Sequence, residues 1–274
     1  MYYAKVDIRN KNSLEDAALY VYLLDDSPKL AIRTRPVVII CPGGGYAGTS
    51  DREAEIMALQ FNAMGYHAAV LRYSVRPAVF PTALLELGSA VGWMYEHAAQ
   101  FHVNTNQIVL TGFSAGGHLV CSYCEFWNQK WVEEALRISS DKLRPGAMIL
   151  GYPVITAGEF GNYSSFQHLL GDAYETKKMD LSLEKHVGPQ VPRAFIWHTF
   201  EDQAVPVQNS LLLVNELVKN GIPVEFHLFE KGPHGLSLAN RRSQSIKGTG
   251  LQPGCECWIE MAYRWLEEWI LRGE

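Results

Sequence analysis

Short runs of apolar, β-branched and aromatic residues alternate along the chain with segments in which apolar residues recur every three or four positions. Most of these runs are continuous, a pattern typical of strands that are covered on both faces. They predict strands at Ala18–Leu24, Val37–Cys41, Ala68–Tyr73, Ile108–Thr111, Ala147–Tyr152, Ala194–His198 and Val224–Phe229. The alternating segment Tyr2–Ile8 comes before them and, with Ala18–Leu24, indicates an antiparallel start to the sheet.

Helical patterns fill the spaces between the runs. Ser50 and Glu53 have the spacing of a capping box before a helix at Glu55–Met64, and Gly65 is suited to end that helix. Further helices are predicted at Thr82–Gln100, Gly116–Trp127, Val205–Asn220 and Cys255–Leu271. Strands that alternate with helices predict an α/β fold, with a mostly parallel sheet of about eight strands and helices on both faces.

The stretch 153–192 departs from this alternation, because proline bounds both of its ends and it holds several glycines but no strand-like run. We expect a small helical cap here, inserted over the carboxyl edge of the sheet, where the functional groups of such sheets gather. The rest of the chain forms one continuous series of strands and helices, and 1–274 is therefore predicted to be a single domain.

Composition limits the classes of function. The 274 residues are 47% hydrophobic and 19% charged, and 24 Lys and Arg against 29 Asp and Glu give a net charge of −5. Because no cluster of basic residues is present, a nucleic-acid partner is not expected. No run of about 18 apolar residues predicts a membrane span, and the opening residues lack the pattern of a signal peptide, which favours a cytoplasmic protein. The oligomeric state stays open, and a homodimer is compatible with the sequence.

The cysteines are interpreted as thiols without a metal. Cys121 and Cys124 form a C-x₂-C pair and Cys255 and Cys257 a C-x-C pair, spacings that zinc ligands also use. The first pair lies inside the predicted helix Gly116–Trp127, where small buried thiols are the more common case. We therefore predict neither a metal site nor a cofactor.

The most informative segment is a Gly-x-Ser-x-Gly pattern at Gly112–Gly116, between a predicted strand and a predicted helix. A serine on such a sharp turn takes a strained backbone, and glycines on either side let neighbouring backbone approach without a clash. The turn would raise the Ser114 hydroxyl above the strand ends, at the positive end of the following helix. Ser114 is therefore the candidate nucleophile, and the alternative is an ordinary turn serine.

A serine hydroxyl needs a neighbouring base, and the base needs an acid that fixes its tautomer. His234 lies in a Gly/Pro loop directly after the run Val224–Phe229, and Asp202 follows the run Ala194–His198. Both would reach the carboxyl edge of the sheet. The chain order Ser114, Asp202, His234 is also the one expected when the serine lies on a strand-to-helix turn.

Other residues compete for these two roles. Glu201 directly precedes Asp202 and is the rival acid. His198 is the rival base, although it ends a predicted strand instead of following a Gly/Pro turn. The remaining histidines considered are interpreted as structural because they lie within or next to predicted elements: His118, His227 and His67.

Negative charge that develops on a carbonyl oxygen during attack needs hydrogen-bond donors. Gly43, Gly44 and Gly45 follow the run Val37–Cys41, and consecutive glycines let backbone N–H groups come close to a ligand. A flexible turn and a phosphate-binding loop are the alternatives, but the Lys-Ser/Thr of a P-loop does not follow. We expect the N–H of Gly44 or Gly45, together with the N–H of Ala115, to form an oxyanion hole.

Together these segments resemble the α/β-hydrolase superfamily, and in particular its small carbohydrate-esterase and acetylesterase members, which include acetylxylan esterases. The stretches that carry the resemblance are 41–46, 70–73, 112–119, 151–155, 165–171, 201–206 and 232–236. The resemblance implies Ser114 as nucleophile, His234 as base, Asp202 as the acid that orients it, and the glycines as oxyanion hole. Pro42 departs from it, since many relatives have a histidine there that supports the loop without reacting, so the departure concerns the geometry of the loop more than its chemistry.

The function that the resemblance implies is that of a serine esterase, acting on a small-molecule ester without a cofactor. It would remove a short acyl group, most often acetyl, from a sugar or xylo-oligosaccharide through an acyl-enzyme intermediate. An aryl formamidase or a small peptidase would use the same three residues on an amide. A non-catalytic, hydrolase-like binding protein is the alternative from another class, although such scaffolds commonly lose one of the three.

Overall fold

A computed structural model describes residues 1–272 of the chain, and over this range the strands form one sheet. The strands are β1 (Tyr2–Val6), β2 (Ala18–Leu23), β3 (Arg35–Cys41), β4 (His67–Arg72), β5 (Val103–Phe113), β6 (Ala147–Gly151), β7 (Arg193–Thr199) and β8 (Val224–Phe229). Their order in the sheet is β1-β2-β4-β3-β5-β6-β7-β8. β1 and β2 pair antiparallel, as do β2 and β4, whereas all pairs from β4 to β8 are parallel. The predicted sheet with its antiparallel start is confirmed.

One strand is much longer than predicted. β5 begins at Val103, whereas the apolar run predicted only Ile108–Thr111. Its first half is polar, and its pairing with β3 shifts register between Arg35 and Val37. Apolar patterning therefore detects only the part of this strand that is buried on both faces.

All helices but the last lie between strands in sequence, and the last follows β8. They are α1 (Glu55–Ala63), α2 (Thr82–Glu96), α3 (Ala98–Phe101), α4 (Ala115–Phe126), α5 (Lys130–Leu136), α6 (Tyr163–Leu170), α7 (Tyr174–Lys177), α8 (Gln208–Lys219) and α9 (Trp258–Arg272). The single helix predicted at Thr82–Gln100 is wrong in one respect, because the backbone leaves the helical conformation at His97 and a separate turn, α3, follows. α5 was not predicted from the sequence.

Two apolar layers cover the sheet, one on each face. Val37 and Ile39 of β3 belong to the same apolar cluster as residues of α2, α4 and α8, while Val38 and Ile40 belong to the cluster that includes residues of α1 and α9. Neighbouring residues of a strand point to opposite faces, so a continuous apolar run is what a strand between two helical layers requires. The prediction of helices on both faces is confirmed.

The stretch 153–192 contains α6, α7 and several single 3₁₀ turns. α6 begins with a side-chain cap, in which Asn162 Oδ1 accepts the N–H of Ser165 at 3.0 Å. The predicted single domain over 1–274 includes Gly273 and Glu274, which lie outside the described residues, and it stays a prediction. Among the helices of residues 1–272, none has the length and apolar character needed to cross a membrane.

Candidate active site

Ser114 lies on the sharp turn between β5 and α4. Its backbone has φ 54° and ψ −120°, a conformation that costs energy for a residue with a side chain. Two neighbouring bonds hold it, because the Ser114 N–H donates to Gly151 O at 3.0 Å and the Ser114 carbonyl accepts the N–H of Val154 at 3.0 Å. A Cβ at Gly112 would lie 2.2 Å from Gly116 O, and one at Gly116 would lie 2.1 Å from Cys41 O. The two glycines are therefore required by the close approach of backbone around the serine.

The loops after β7 and β8 bring the predicted acid and base to Ser114. His234 Nε2 lies 2.8 Å from Ser114 Oγ, and His234 Nδ1 lies 2.6 Å from Asp202 Oδ2. Both distances are those of hydrogen bonds. The structure thus brings together the three side chains that the sequence analysis selected from positions up to 120 residues apart.

The Asp202 carboxylate is held on all sides. Its Oδ1 accepts the N–H groups of Ala204 at 3.0 Å and Val205 at 2.9 Å, and its Oδ2 lies 3.3 Å from His198 Nε2 in addition to the bond with His234. Burial by itself raises the pKa of the Asp202 carboxyl, but the hydrogen bonds from His198 and His234 outweigh it and bring the pKa below its usual value. Asp202 is therefore ionised at neutral pH, and it accepts a hydrogen bond from the protonated Nδ1 of His234.

The rival residues occupy other positions. His198 is buried behind Asp202, where Nδ1 lies 2.8 Å from Ser210 Oγ and Nε2 lies 2.9 Å from Val205 O. Glu201 is exposed, and its Oε2 accepts the N–H of Gly232 at 3.2 Å, so it contacts the loop of His234 but not the imidazole.

His118 lies one helical turn after Ser114 in α4, and its side chain is buried. Its Nδ1 lies 3.0 Å from the Tyr46 hydroxyl and its Nε2 lies 3.0 Å from Leu181 O. Burial lowers the pKa of His118 to about 4. The imidazole is therefore neutral at pH 7 and ties α4 to the glycines and to the cap.

The glycine loop, residues 43–45, runs beside Ser114. A Cβ at Gly43 would lie 3.0 Å from the Ser114 Cβ. Within residues 1–272, the N–H of Gly43 donates to Glu53, whereas no hydrogen bond uses the N–H groups of Gly44, Gly45 or Ala115. These three donors are the ones expected to form the oxyanion hole, and they are available to a ligand.

Glu53 corrects one sequence prediction. The capping box of Ser50 and Glu53 is wrong, because the Ser50 side chain makes no capping bond and the Glu53 side chain turns away from the helix. The Glu53 side chain is buried, and its Oε2 accepts the N–H of Gly43 at 2.7 Å while its Oε1 accepts the hydroxyl of Tyr152 at 2.6 Å. Because both partners are distant in sequence, no local pattern could have predicted this role.

The cap contacts the site on two sides. The Asn162 side chain donates to Ala204 O at 2.9 Å, next to Asp202, and His168 Nδ1 lies 2.8 Å from Gly45 O in the glycine loop. α6 and its capping residue therefore span from the loop of Asp202 to the glycine loop.

The cysteines of the two pairs with zinc-ligand spacing are free thiols. Cys121 and Cys124 are buried in α4, Cys255 is buried and Cys257 is exposed. No group of three or more His, Cys, Asp or Glu side chains within the described part of the chain is arranged to hold a metal ion.

An eight-stranded sheet with an antiparallel start, and a serine on the turn after β5 that contacts a histidine from the loop after β8, define an α/β-hydrolase. Comparison with known proteins narrows this class. The model of the BD-FAE family matches residues 26–217, and the chain belongs to that family.

Solved structures of esterases are similar over nearly the whole chain. The carboxylesterase Cest-2923 from Lactobacillus plantarum WCFS1 is 31% identical, with a TM-score of 0.83 and coverage of 99% of this chain and 98% of that one. An acetyl ester-xyloside bifunctional hydrolase from Caldicellulosiruptor lactoaceticus is 32% identical, with a TM-score of 0.80 and coverage of 97% and 96%. Both of these similar proteins are ester hydrolases by name, and the similarity covers nearly the whole length of each chain.

The curated relatives are longer proteins. Endo-1,4-beta-xylanase B of Butyrivibrio fibrisolvens is 34% identical over 227 residues, which are 81% of this chain and 35% of the xylanase. The chain spans between 35% and 45% of the length of the curated relatives that it matches.

Proposed function

We propose that this protein is a serine esterase that removes short acyl groups, chiefly acetyl, from sugars or xylo-oligosaccharides. The observation that carries the proposal is the continuous line of hydrogen-bond distances from Ser114 Oγ through His234 to Asp202, 2.8 Å and 2.6 Å long. A hydroxyl, an imidazole and an ionised carboxylate in this order are the requirements for activating a serine.

In the first half of the reaction, Ser114 Oγ attacks the carbonyl carbon of the ester and its proton passes to His234 Nε2. The ionised Asp202 keeps the proton of His234 on Nδ1, so that Nε2 is free to accept, and it stabilises the imidazolium that forms. The Ala115 N–H and the Gly44 or Gly45 N–H donate to the oxyanion of the tetrahedral intermediate. His234 then gives its proton to the departing alcohol, and the acyl group stays on Ser114.

In the second half, a water molecule takes the place of the alcohol. His234 Nε2 accepts a proton from this water as its oxygen attacks the acyl carbon, the same N–H groups stabilise the second oxyanion, and the proton returns to Ser114 Oγ as the acid leaves. Every proton transfer in both halves uses one atom, His234 Nε2, and the reaction needs no cofactor.

The packing beside the site supports a short acyl group. Tyr46, Val154 and Phe166 are buried next to the glycine loop, Ser114 and the cap, and their side chains leave no cavity there for a longer acyl chain. Chain-length selectivity of this kind follows from filled space, because each buried methylene needs room of its own. The names of a similar xylanase and of a similar acetyl ester-xyloside hydrolase support a saccharide as the alcohol.

The test compares nitrophenyl esters from acetyl to octanoyl, an acetylated xylo-oligosaccharide, an N-formyl aryl amine and a peptidyl amide. We expect kcat/KM to fall steadily beyond the shortest acyl groups and to be lowest on the amides. The Ser114→Ala variant should lose at least ~10⁴-fold in kcat, since the nucleophile is absent. Undiminished turnover by Ser114→Ala would contradict the serine mechanism. Faster turnover of the N-formyl aryl amine than of the esters would show that the protein is a formamidase and not an esterase.

A further inference from the structure

A buried pair, Glu53 and Tyr152, lies under the site without reaching the place where a substrate would bind. The two side chains are 4% and 1% exposed. The Tyr152 hydroxyl donates to Glu53 Oε1 at 2.6 Å and accepts the N–H of Ser237 at 2.8 Å, and Glu53 Oε2 accepts the N–H of Gly43 at 2.7 Å. The pair thus connects the loop that bears the oxyanion donors with the loop that bears the base.

At the first end of this connection, Glu53 determines the position of the glycine loop. Gly43 lies between the carboxylate and the serine, since a Cβ at Gly43 would be 2.8 Å from Glu53 Oε2 and 3.0 Å from the Ser114 Cβ. The bond to Glu53 fixes the peptide between Pro42 and Gly43, directly before Gly44 and Gly45. Fixing this peptide directs the N–H groups that follow it, which is the preorganisation that stabilisation of an oxyanion requires.

At the other end, Tyr152 determines the position of His234. The ring of Tyr152 packs edge-on against the imidazole, with centroids 5.1 Å apart and planes at 72°, and its hydroxyl holds Ser237 three residues later. The neighbouring Arg52 reaches the same loop, where its guanidinium donates to Gly235 O at 2.8 Å. The peptides on the C-terminal side of His234 are therefore held from residues 52 and 152.

The backbone at Tyr152 and Ser237 is unusual. Both residues have positive φ, 38° and 54°, which is uncommon for residues with a side chain and is sustained by the surrounding bonds. Burial and then the charge of Glu53 raise the pKa of Tyr152 well above its ordinary value. The hydroxyl therefore stays protonated and can donate its hydrogen bond to Glu53. Both carboxylate oxygens of Glu53 and the hydroxyl of Tyr152 have hydrogen-bond partners, as a rigid buried pair requires.

From this geometry we infer that Glu53 and Tyr152 are positioning residues, which keep the oxyanion donors and His234 in one fixed relation to Ser114. The inference rests on the proposed function. Neither side chain touches the substrate, so their removal should leave substrate binding in place and slow the steps that need the two loops aligned.

The experiment measures kcat per titrated active site and KM on p-nitrophenyl acetate for four variants. Tyr152→Phe should lower kcat about 10-fold, and Glu53→Ala about 100-fold, with KM within about twofold. Glu53→Gln should lose less than Glu53→Ala, because its amide oxygen can still accept from Gly43. The matched control is Tyr123→Phe. It removes another buried hydroxyl, that of Tyr123 in α4, which donates to Leu143 O at 2.6 Å.

A merely structural role would lower the melting temperature or the number of active sites without changing kcat per site. An unchanged kcat per site in Tyr152→Phe and Glu53→Ala, or an equal loss in Tyr123→Phe, would overturn the inference. A second readout, the rate at which an alkyl fluorophosphonate labels Ser114, should fall by the same factors. If the wild type is labelled but hydrolyses no ester, the proposed function fails while the labelling rates still decide this inference; if it is neither labelled nor active, both fail.

Discussion

Replacing Asp202 by asparagine separates the role of charge from the role of shape at this site. Asp202 Oδ1 is fixed by two backbone N–H groups, at 3.0 Å and 2.9 Å, and the oxygen of an asparagine would take this position because its amide nitrogen cannot accept. The amide nitrogen would then lie where Oδ2 lies now, 2.6 Å from His234 Nδ1. Two N–H donors cannot face each other at this distance, so His234 would move its proton to Nε2 and lose the atom that accepts the serine proton.

The size of the loss follows from two contributions. A carboxylate and an imidazolium about 4 Å apart attract each other by about 4 kcal/mol at an effective dielectric constant of about 20, which is roughly a 10³-fold change in rate. The unfavourable tautomer adds to this loss, and for the same change in a serine triad the total is about 10⁴-fold. We therefore expect Asp202→Asn to lower kcat about 10⁴-fold.

The assay is kcat and KM on p-nitrophenyl acetate at neutral pH, with circular dichroism to establish that the variant is folded. Glu201→Gln is the matched control, since Glu201 is the adjacent acid and contacts Gly232 but not the imidazole. We expect this control to retain kcat within about threefold, as is usual for exposed positions. A loss below about 100-fold in Asp202→Asn, or a similar loss in Glu201→Gln, would refute the assignment of Asp202.

Two further predictions concern stability. His118 has a pKa of about 4 in the folded protein, below its unfolded value of about 6.5, so the unfolded chain binds more protons between these values. Its contribution therefore lowers the free energy of unfolding by about 2 kcal/mol as the pH falls from 7.5 to 5. Urea titrations should find that the free energy of unfolding depends less on pH in His118→Gln than in the wild type. An equal dependence on pH in both proteins would contradict this. Gly116→Ala should lower the free energy of unfolding by about 3 kcal/mol or more and remove most of the activity, because the new methyl would lie 2.1 Å from Cys41 O. The control Gly254→Ala, where the new methyl meets no atom within 4 Å, should change the melting temperature little. Similar melting temperatures for the two variants would show that the backbone adjusts at Gly116.

Local motifs and chain order allowed much of the fold and the grouping of Ser114, Asp202 and His234 to be predicted. Each of the three residues lies in the turn or loop after a parallel strand, and the carboxyl ends of parallel strands meet at one edge of the sheet, so all three were expected at that edge. Features that depend on distant partners could not be predicted in this way. Glu53 has the local pattern of a helix cap, but its hydroxyl partner is Tyr152, 99 residues away.

The predicted bounds of two elements, α2 and β5, were wrong for a related reason. A helical period continues through His97, although the helix ends there, because periodicity records which positions are apolar and not the backbone conformation of a single residue. The first half of β5 was missed because its residues are mostly polar and at least partly exposed, so it contains no apolar run to detect.

The strained backbone around the site has a consequence for how this protein can be made more durable. Tyr46, Ser114, Tyr152 and Ser237 have φ values of 54°, 54°, 38° and 54°. At about 1–3 kcal/mol each, they cost together an amount comparable with the net stability of an ordinary domain, about 5–15 kcal/mol. Thermal robustness and turnover therefore compete at these four positions, and a more heat-resistant variant is best sought in the helical layers away from them.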